Sequence, residues 1–300
     1  MKIGMKKRLC LLLSLFLILG MHLYAGNKIL IGAMVYNIND IDNSFKTLHD
    51  AGLESCQLSY VPGKMDHTVA KQVISASKKY DIKVTTVVAV PGHCVWNFKE
   101  GPSTIGLVPE EGREEKMKIY KEMIDFCVLA KIPAMHSHFG FIPEDMGSSR
   151  YKSFISVMKE LGQYAKERGI LIYFETGQET PITLVRAIKD IGTGNMFINC
   201  DLANLVMYGK ANSLDAVRLF GPLIKEFHAK DGLYPDPNNP YELGREVSIP
   251  EGEVDFPAVI RELKRIGFDG SLTIERELGG SQVEYIKKTR AYLQSLIDAE

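Results

Sequence analysis

Short β-rich apolar runs alternate with longer amphipathic runs from residue 29 to residue 296, and this rhythm constrains the fold more than any other feature. Eight short runs fit buried strands: Ile29–Val35, Ser55–Ser59, Lys83–Val90, Ala134–His138, Leu171–Glu175, Met196–Asp201, Ile224–His228 and Ser271–Glu275. The runs between and after them fit helices: Asp42–Ala51, His67–Tyr80, Arg113–Ala130, Ser149–Arg168, Pro181–Ile191, Ser213–Phe220, Phe256–Ile266 and Ser281–Leu296. Eight strand–helix units predict a parallel sheet closed into a single-domain (β/α)8 TIM barrel. An open doubly wound sheet is the alternative, but its G-x-G-x-x-G fingerprint is missing from the sequence.

The first 25 residues match an export signal. Four basic residues within positions 2–8 precede an apolar run from Leu9 to Leu19, and Ala25 provides a small residue at a cleavage position. The apolar run is shorter than the roughly 20 residues that a membrane-spanning helix needs, so no stable membrane anchor is expected. We therefore predict a cleaved signal peptide (1–25), a periplasmic or secreted protein, and one barrel domain over residues 26–300.

The net charge narrows the class of partner. The formal net charge is −1, and loss of the four basic residues of the signal leaves −5 for the mature chain. A mildly acidic chain has no basic field for a phosphate backbone, so nucleic acid is not an expected partner.

The four remaining cysteines lack C-x-x-C spacing and mostly lie in apolar runs: Cys56, Cys94, Cys127 and Cys200. We interpret them as free core residues, with one disulfide in an oxidising compartment as the alternative.

The last residues of the strands carry the chemistry in this fold. The fifth to eighth predicted strands end in Glu175, Asp201, His228 and Glu275. A single carboxylate at such a position is commonly a helix cap, and a lone histidine is commonly a core residue. Four of them at equivalent positions on successive strands indicate one shared site. Because three packed carboxylates repel one another unless a cation compensates, the pattern predicts a divalent metal.

The donor set limits the identity of that metal. Three carboxylates and one imidazole suit Mn²⁺, Mg²⁺, Co²⁺ or Zn²⁺ and leave coordination positions for substrate oxygens. We favour Mn²⁺ because the predicted site is rich in oxygen donors.

Four segments resemble one known family. They are 174–179 (Phe-Glu-Thr-Gly-Gln-Glu), 200–204 (Cys-Asp-Leu-Ala-Asn), 227–232 (Phe-His-Ala-Lys-Asp-Gly) and 273–277 (Thr-Ile-Glu-Arg-Glu). On these motifs the whole mature chain resembles the xylose isomerase-like barrels, which include sugar phosphate isomerases/epimerases, ketose 3-epimerases and inosose-processing enzymes. The resemblance implies that Glu175, Asp201, His228 and Glu275 bind one divalent metal. It also implies that the two glutamates are the acid/base pair on opposite faces of the substrate carbon.

Further residues are predicted to contact the substrate. His138 closes the fourth strand, where it can polarise a carbonyl or bind a hydroxyl. Lys230 projects to the same side as His228, with a surface position as its alternative. Arg245 lies in a long loop, residues 232–252, which is typical of a functional lid over a barrel rim.

Three more candidates have an equally plain structural alternative or a departure from the family. Glu179 is either a substrate contact or a cap of the following helix. Trp96, the only tryptophan, either stacks on a sugar or anchors its loop. Asn204 stands where epimerases of established substrate often carry histidine, so this departure leaves substrate recognition open.

These features predict a metal-dependent sugar isomerase or epimerase that removes the proton next to a sugar carbonyl and leaves an enediolate. A keto-glycoside lyase or hydratase with the same metal site is the alternative. An apurinic endonuclease-like enzyme and a non-enzymatic carbohydrate-binding barrel are weaker alternatives. Export favours a free or oxidised carbohydrate over a sugar phosphate. Barrels of this kind often form homodimers, but no apolar surface run identifies an interface.

Overall fold

The computed structural model describes residues 28–276 and 282–299. Eight parallel strands close into a barrel, and a short hairpin of β8 and β9 precedes the last of them. The strands are β1 (Leu30–Val35), β2 (Ser55–Ser59), β3 (Lys83–Val88), β4 (Ala134–Ser137), β5 (Leu171–Glu175), β6 (Met196–Asp201), β7 (Ile224–Ala229), β8 (Asp231–Leu233), β9 (Arg245–Val247) and β10 (Ser271–Ile274). The barrel order is β1-β10-β7-β6-β5-β4-β3-β2. The predicted (β/α)8 fold is therefore confirmed.

Helices follow the barrel strands and cover the outside of the sheet. They are α1 (Ile41–Asp50), α2 (His67–Tyr80), α3 (Gly101–Thr104), α4 (Arg113–Ala130), α5 (Ser149–Glu167), α6 (Pro181–Ile191), α7 (Leu202–Met207), α8 (Ser213–Phe220), α9 (Phe256–Arg265) and α10 (Gln282–Asp298), with a 3₁₀ turn at Gly221–Leu223. Local chemistry explains why their bounds were predictable. The carboxylate of Asp66 caps α2 by accepting from the backbone of Thr68 (2.8 Å) and Val69 (3.0 Å). Gly169, just after α5, has φ +70°, which glycine adopts without strain.

Four features were not predicted: α3, α7, the 3₁₀ turn and the β8–β9 hairpin. The hairpin lies within residues 231–252, most of which the sequence predicts as an irregular loop. Its strands have three residues each, too few for a periodic pattern, and they pair antiparallel. The carboxylate of Asp231 holds both ends of residues 231–254 together by accepting hydrogen bonds from the backbone nitrogens of Gly252 (2.8 Å) and Val254 (3.1 Å).

Apolar side chains fill the layer between sheet and helices, whereas polar side chains occupy the interior of the barrel. Gln57 on β2 hydrogen-bonds to Asn199 on β6 and to Glu226 on β7, strands that do not neighbour β2. Such bonds must cross the interior. At its N-terminal end, the hydroxyls of Ser55 and Ser271 lie 2.6 Å apart. The mouth of the barrel therefore sits on a polar, hydrogen-bonded floor.

Two predictions concern the cellular compartment of the protein: its export and the state of its cysteines. The export signal and its cleavage after Ala25 lie outside the described residues. Within residues 28–276 and 282–299, no helix has the length and apolar character needed to cross a membrane. All four described cysteines are free, as predicted, but only Cys56, Cys127 and Cys200 are core residues, because Cys94 is half-buried.

Candidate metal centre

Four potential ligands meet at the C-terminal mouth of the barrel. Glu175 and Asp201 end β5 and β6, His228 is the penultimate residue of β7, and Glu275 follows β10 directly. One ligand atom from each lies within 4.8 Å of the others. Parallel strands bring them together because their C-terminal ends share one rim.

The Nδ1 atom of His228 lies at the centre of this cluster. It is 3.1 Å from Oε1 of Glu175, 3.1 Å from Oε2 of Glu275 and 3.6 Å from Oδ2 of Asp201. Nδ1 and Asp201 Oδ2 are buried without a hydrogen-bond partner among the described residues. Buried polar atoms normally have a hydrogen-bond partner, so these two atoms indicate that a bound non-protein ligand contacts them. One imidazole nitrogen and three carboxylates facing a common point can hold a divalent cation.

The electrostatics of the cluster favour positive charge. Burial alone would raise the pKa of Glu175, but His138 and His228 hold it well below its usual range. Against the same burial, Lys230 and His228 lower the pKa of Glu275 to about 2. Burial lowers the pKa of His228, but Glu275 and Glu175 outweigh it and raise this pKa well above its usual value. A proton on His228 thus supplies charge that a bound cation would replace.

Gln57 determines which nitrogen of His228 faces the cluster. Its amide nitrogen donates to Asn199 Oδ1 (3.3 Å) and Glu226 Oε2 (3.2 Å), so its amide oxygen is the acceptor for His228 Nε2–H (2.7 Å). With Nε2 protonated, the lone pair of Nδ1 is left for a metal. Gln57, Asn199 and Glu226 were not predicted, because each lies inside a buried strand. A polar side chain in an otherwise apolar strand was the available signal.

Replacing Gln57 with leucine is expected to weaken metal binding about 10- to 100-fold, as loss of outer-shell partners commonly does. The leucine cannot accept from His228 Nε2–H, so the imidazole loses its fixed tautomer and orientation. Competition titration of Mn²⁺ against a chelating dye measures the effect. Gln163→Leu on the exposed face of α5 is the matched control and should bind like wild type. Equal affinity in the Gln57 and Gln163 variants contradicts the assignment.

Lys230 is buried against the four-residue cluster and is not a surface lysine. Its Nζ lies 3.2 Å from Glu275 Oε2 and 3.8 Å from Asp201 Oδ2, and it donates to Asn204 Oδ1 at 3.4 Å. Asn204 in turn donates from Nδ2 to Glu175 Oε1 (3.4 Å). These two side chains therefore connect both glutamates.

Two histidines contact the other side of Glu175. His138 Nε2 is 3.4 Å from Glu175 Oε1, and His136 Nε2 is 3.5 Å from Oε2. His138 also donates from Nδ1 to the Oε1 of Gln178 (3.1 Å), and the ring of Trp96 meets it edge-on at 5.0 Å. His136, which the sequence analysis did not assign, thus belongs to the site.

A cavity of about 610 Å³ opens above the cluster. Of the four ligand residues, only Glu175 and Glu275 line it, so the two glutamates face the space that a substrate would occupy. The end of β3 and the loop after it contribute mainly apolar lining, and β5, α7 and the hairpin contribute much of the remainder. The lining residues are Met34, Tyr36, Ser59, Val88, Ala89, Val90, Trp96, His138, Glu175, Gln178, Asn204, Met207, Tyr208, Leu243, Gly244, Glu246 and Glu275.

Two predicted substrate residues lie elsewhere. Arg245 is exposed on β9, while its neighbours Gly244 and Glu246 line the cavity. Glu179 lines a second, adjacent cavity and is buried. Burial raises the pKa of Glu179 to about 8, although His138 and Lys210 act to lower it.

Glu179→Gln is expected to remove a pH-dependent loss of stability. The unfolded chain releases this proton near its ordinary pKa of 4.5, whereas the folded chain retains it to about 8. The retained proton on Glu179 stabilises the fold fully below pH 4.5. This contribution to the free energy of unfolding falls by about 1.4 kcal/mol per pH unit above 4.5 and is lost as the pH rises through 8. Urea unfolding should show similar stabilities at pH 4.5 and a variant more stable by about 4 kcal/mol at pH 8. A difference that does not change with pH contradicts the buried-carboxyl assignment; exposed Glu167→Gln is the control.

The family comparison agrees with this architecture. A family model described as a xylose isomerase-like TIM barrel matches residues 45–296. The chain belongs to this family. The resemblance inferred from the four strand-end motifs is thereby confirmed.

Solved structures share the barrel of this xylose isomerase-like protein. A xylose isomerase domain protein from Planctomyces limnophilus is 28% identical with a TM-score of 0.82, covering 89% of this chain and 96% of the other. An L-ribulose 3-epimerase is 14% identical, with a TM-score of 0.69 and coverages of 90% and 95%. A Mycobacterium smegmatis protein solved in complex with magnesium is 16% identical, with a TM-score of 0.66 and coverages of 91% and 98%.

The name of one curated relative states no activity. An uncharacterized protein of Methanocaldococcus jannaschii is 30% identical over 170 residues, which are 52% of this chain and 55% of the relative. This chain thus spans about half the length of the curated relative that it matches.

Proposed function

We propose that this xylose isomerase-like protein is a divalent-metal-dependent sugar isomerase or epimerase that removes the proton next to a sugar carbonyl. The observation that carries the proposal is the arrangement of Glu175 and Glu275. All four residues form the cluster, but only these two glutamates also line the 610 Å³ cavity. Asp201 and His228 do not line it. Two carboxylates that reach one substrate space suit proton removal from one face of a carbon and proton return on the other. The shared fold with an L-ribulose 3-epimerase is consistent with this chemistry.

The residues around each glutamate set its protonation state. The low pKa values of Glu175 and Glu275 keep both carboxylates ionised at neutral pH. One of them can therefore accept the substrate proton, and the other takes up a proton from solvent before it returns one to the opposite face of the carbon. Removing a proton next to a carbonyl leaves an enediolate, whose negative charge needs stabilisation as it forms. His138 and Lys230 lie within 3.5 Å of these carboxylates and place positive charge beside the reacting atoms. A bound divalent cation supplies Lewis-acid polarisation of the substrate's carbonyl oxygen.

Mn²⁺ is the metal we propose, with Mg²⁺, Co²⁺ and Zn²⁺ as the alternatives. Three carboxylates and one imidazole form a mostly oxygen-donor set, which suits Mn²⁺ and Mg²⁺ better than thiophilic metals. A Mycobacterium smegmatis protein of the same fold was solved in complex with magnesium, which supports the choice of a hard cation. Metal content of protein purified without added metal, measured by mass spectrometry, tests this choice.

We also propose that the protein is exported and acts on a free or oxidised carbohydrate. The charged and apolar pattern of residues 1–25 supports export, and phosphorylated sugars are normally confined to the cytoplasm. Cell fractionation with N-terminal sequencing should find a chain that begins at Gly26 outside the cytoplasm. A cytoplasmic chain that retains residues 1–25 contradicts this proposal.

Solvent-deuterium incorporation tests the reaction. The metal-loaded protein is incubated in D₂O with free ketoses and with 3-keto-glycosides, and the recovered sugars are examined by mass spectrometry. Deuterium at the carbon next to the carbonyl, together with an isomer of the substrate, is the expected result. An unsaturated product or a released aglycone would assign the lyase chemistry instead. No exchange into any of these sugars would contradict the proposal.

A further inference from the structure

A second cavity of about 520 Å³ lies beside the first. The loop after β4 and the loop after β5 form its walls, and Gln178 lines both cavities. The second cavity holds none of the four metal-ligand residues, so its polar groups are not needed for the metal centre. A cavity of similar size on the other side of one shared side chain requires its own explanation.

Two buried polar side chains line this second cavity. Gln178 is 2% exposed and Glu179 is 5% exposed. The Oε1 of Gln178 accepts from His138, but its Nε2 is buried with no hydrogen-bond partner within residues 28–276 and 282–299. An amide donor without a partner is costly inside a protein, so it indicates a ligand acceptor that satisfies it. Glu179 adds a carboxyl group on the same wall.

The charges around the second cavity are nearly balanced. Arg150 and Lys210 contribute two positive charges, and Glu144 and Asp145 contribute two negative charges. Glu179 lines the same cavity and is buried. A phosphate or sulfate ester would need a clear excess of positive charge. A neutral ligand rich in hydroxyl groups needs donors and acceptors instead, and Gln178 and Glu179 provide both.

An aromatic side chain of the second cavity contacts one of the first. Phe141 lines the second cavity and Tyr208 lines the first, and their rings meet edge-to-face with centroids 5.8 Å apart. Phe98 packs on the same Tyr208 ring at 5.8 Å. Aromatic rings beside polar groups combine apolar contact with oriented hydrogen bonding, as small-molecule sites do.

We propose that the second cavity is a subsite for a second sugar unit, so that the substrate class is a disaccharide or other glycoside whose ketose unit lies in the first cavity. The proposal rests on the proposed function for the location of the reacting unit. Glu179 accepts hydroxyl hydrogens of the second unit, and Gln178 Nε2 donates to one of its oxygens. Both are binding residues here and do not touch the reacting carbon.

Calorimetric titration of the manganese-loaded protein tests the subsite with matched sugars. D-Fructose is compared with three disaccharides that carry a fructose unit: maltulose, lactulose and isomaltulose. At least one disaccharide should bind tenfold or more tightly than D-fructose, because one well-made hydrogen bond to a buried polar group is worth about that factor. If none of the three binds more tightly than D-fructose, the proposal is wrong.

Variants locate the added affinity. Glu179→Leu, which removes the hydrogen-bond acceptor, and Pro143→Trp, which narrows the second cavity without removing a polar group, should both bring the disaccharide-to-fructose affinity ratio close to one. Glu167→Leu at the exposed end of α5 should preserve the wild-type ratio. A ratio that stays at the wild-type value in both cavity variants contradicts the subsite. Deuterium exchange into D-fructose is measured separately, so failure of the reaction and failure of the subsite give different results.

Discussion

Glu175→Gln and Glu275→Gln are each expected to reduce solvent-deuterium exchange into a bound keto-sugar by at least about 10³-fold. Glutamine keeps the shape of the side chain but cannot take or return a proton. A positioned acid or base typically contributes 10²- to 10⁴-fold, and each of these residues also loses a charged contact to the metal cluster. Mass spectrometry of sugar recovered from D₂O gives the rate directly.

Metal content must be matched before these rates are compared. Each variant is assayed at a Mn²⁺ concentration that saturates it by titration, so that lost activity reports the proton transfer and not an empty site. Glu167→Gln, which changes an exposed carboxylate far from the mouth, should exchange like wild type. Full exchange in either single variant would falsify the acid/base assignment of that glutamate.

Asp201→Asn is expected to abolish the stabilisation that a divalent metal gives to the fold. A ligand at 100 times its dissociation constant adds about 2.7 kcal/mol to the free energy of unfolding, since it binds only the folded chain. Without the Asp201 carboxylate, the same Mn²⁺ concentration should add little. Urea unfolding with Mn²⁺ and with a chelator measures the difference for each protein.

The asparagine variant separates loss of metal from loss of fold. Asp201 also caps α7, because its Oδ1 accepts from the backbone nitrogen of Asn204 at 2.8 Å, and asparagine is an equally good cap. One fewer buried carboxylate also reduces repulsion within the cluster. The chelator-treated variant should therefore be at least as stable as chelator-treated wild type. An unchanged response to Mn²⁺ would show that Asp201 is not a ligand.

Much of the barrel was predictable because it depends on local patterns. All eight barrel strands were placed from apolar runs, and Met196–Asp201 has the same bounds in the sequence and in the structure. Helix α2 was equally clear, since Asp66 caps its start and its apolar positions recur at helical spacing. The β8–β9 hairpin was missed because three-residue strands in a Pro- and Asn-rich segment carry no periodic signal.

The four-residue cluster at the barrel mouth was predictable for a topological reason. In a closed parallel barrel, every strand ends at the same mouth, so ligand-type residues at four successive strand ends must converge. Glu175, Asp201, His228 and Glu275 could therefore be grouped without coordinates. The sequence by itself determined the fold and the composition of this cluster.

Only the tertiary structure decided what surrounds those ligands. Gln57 reaches His228 across the barrel interior over a separation of 171 residues, a contact that depends on how the barrel closes. The burial of Lys230 beside Glu275, and the placement of Glu179 in a second cavity, depend on how the loops and α7 pack over the rim. Strand periodicity specifies which face a residue occupies, but side chains distant in sequence meet only where packed elements bring them together.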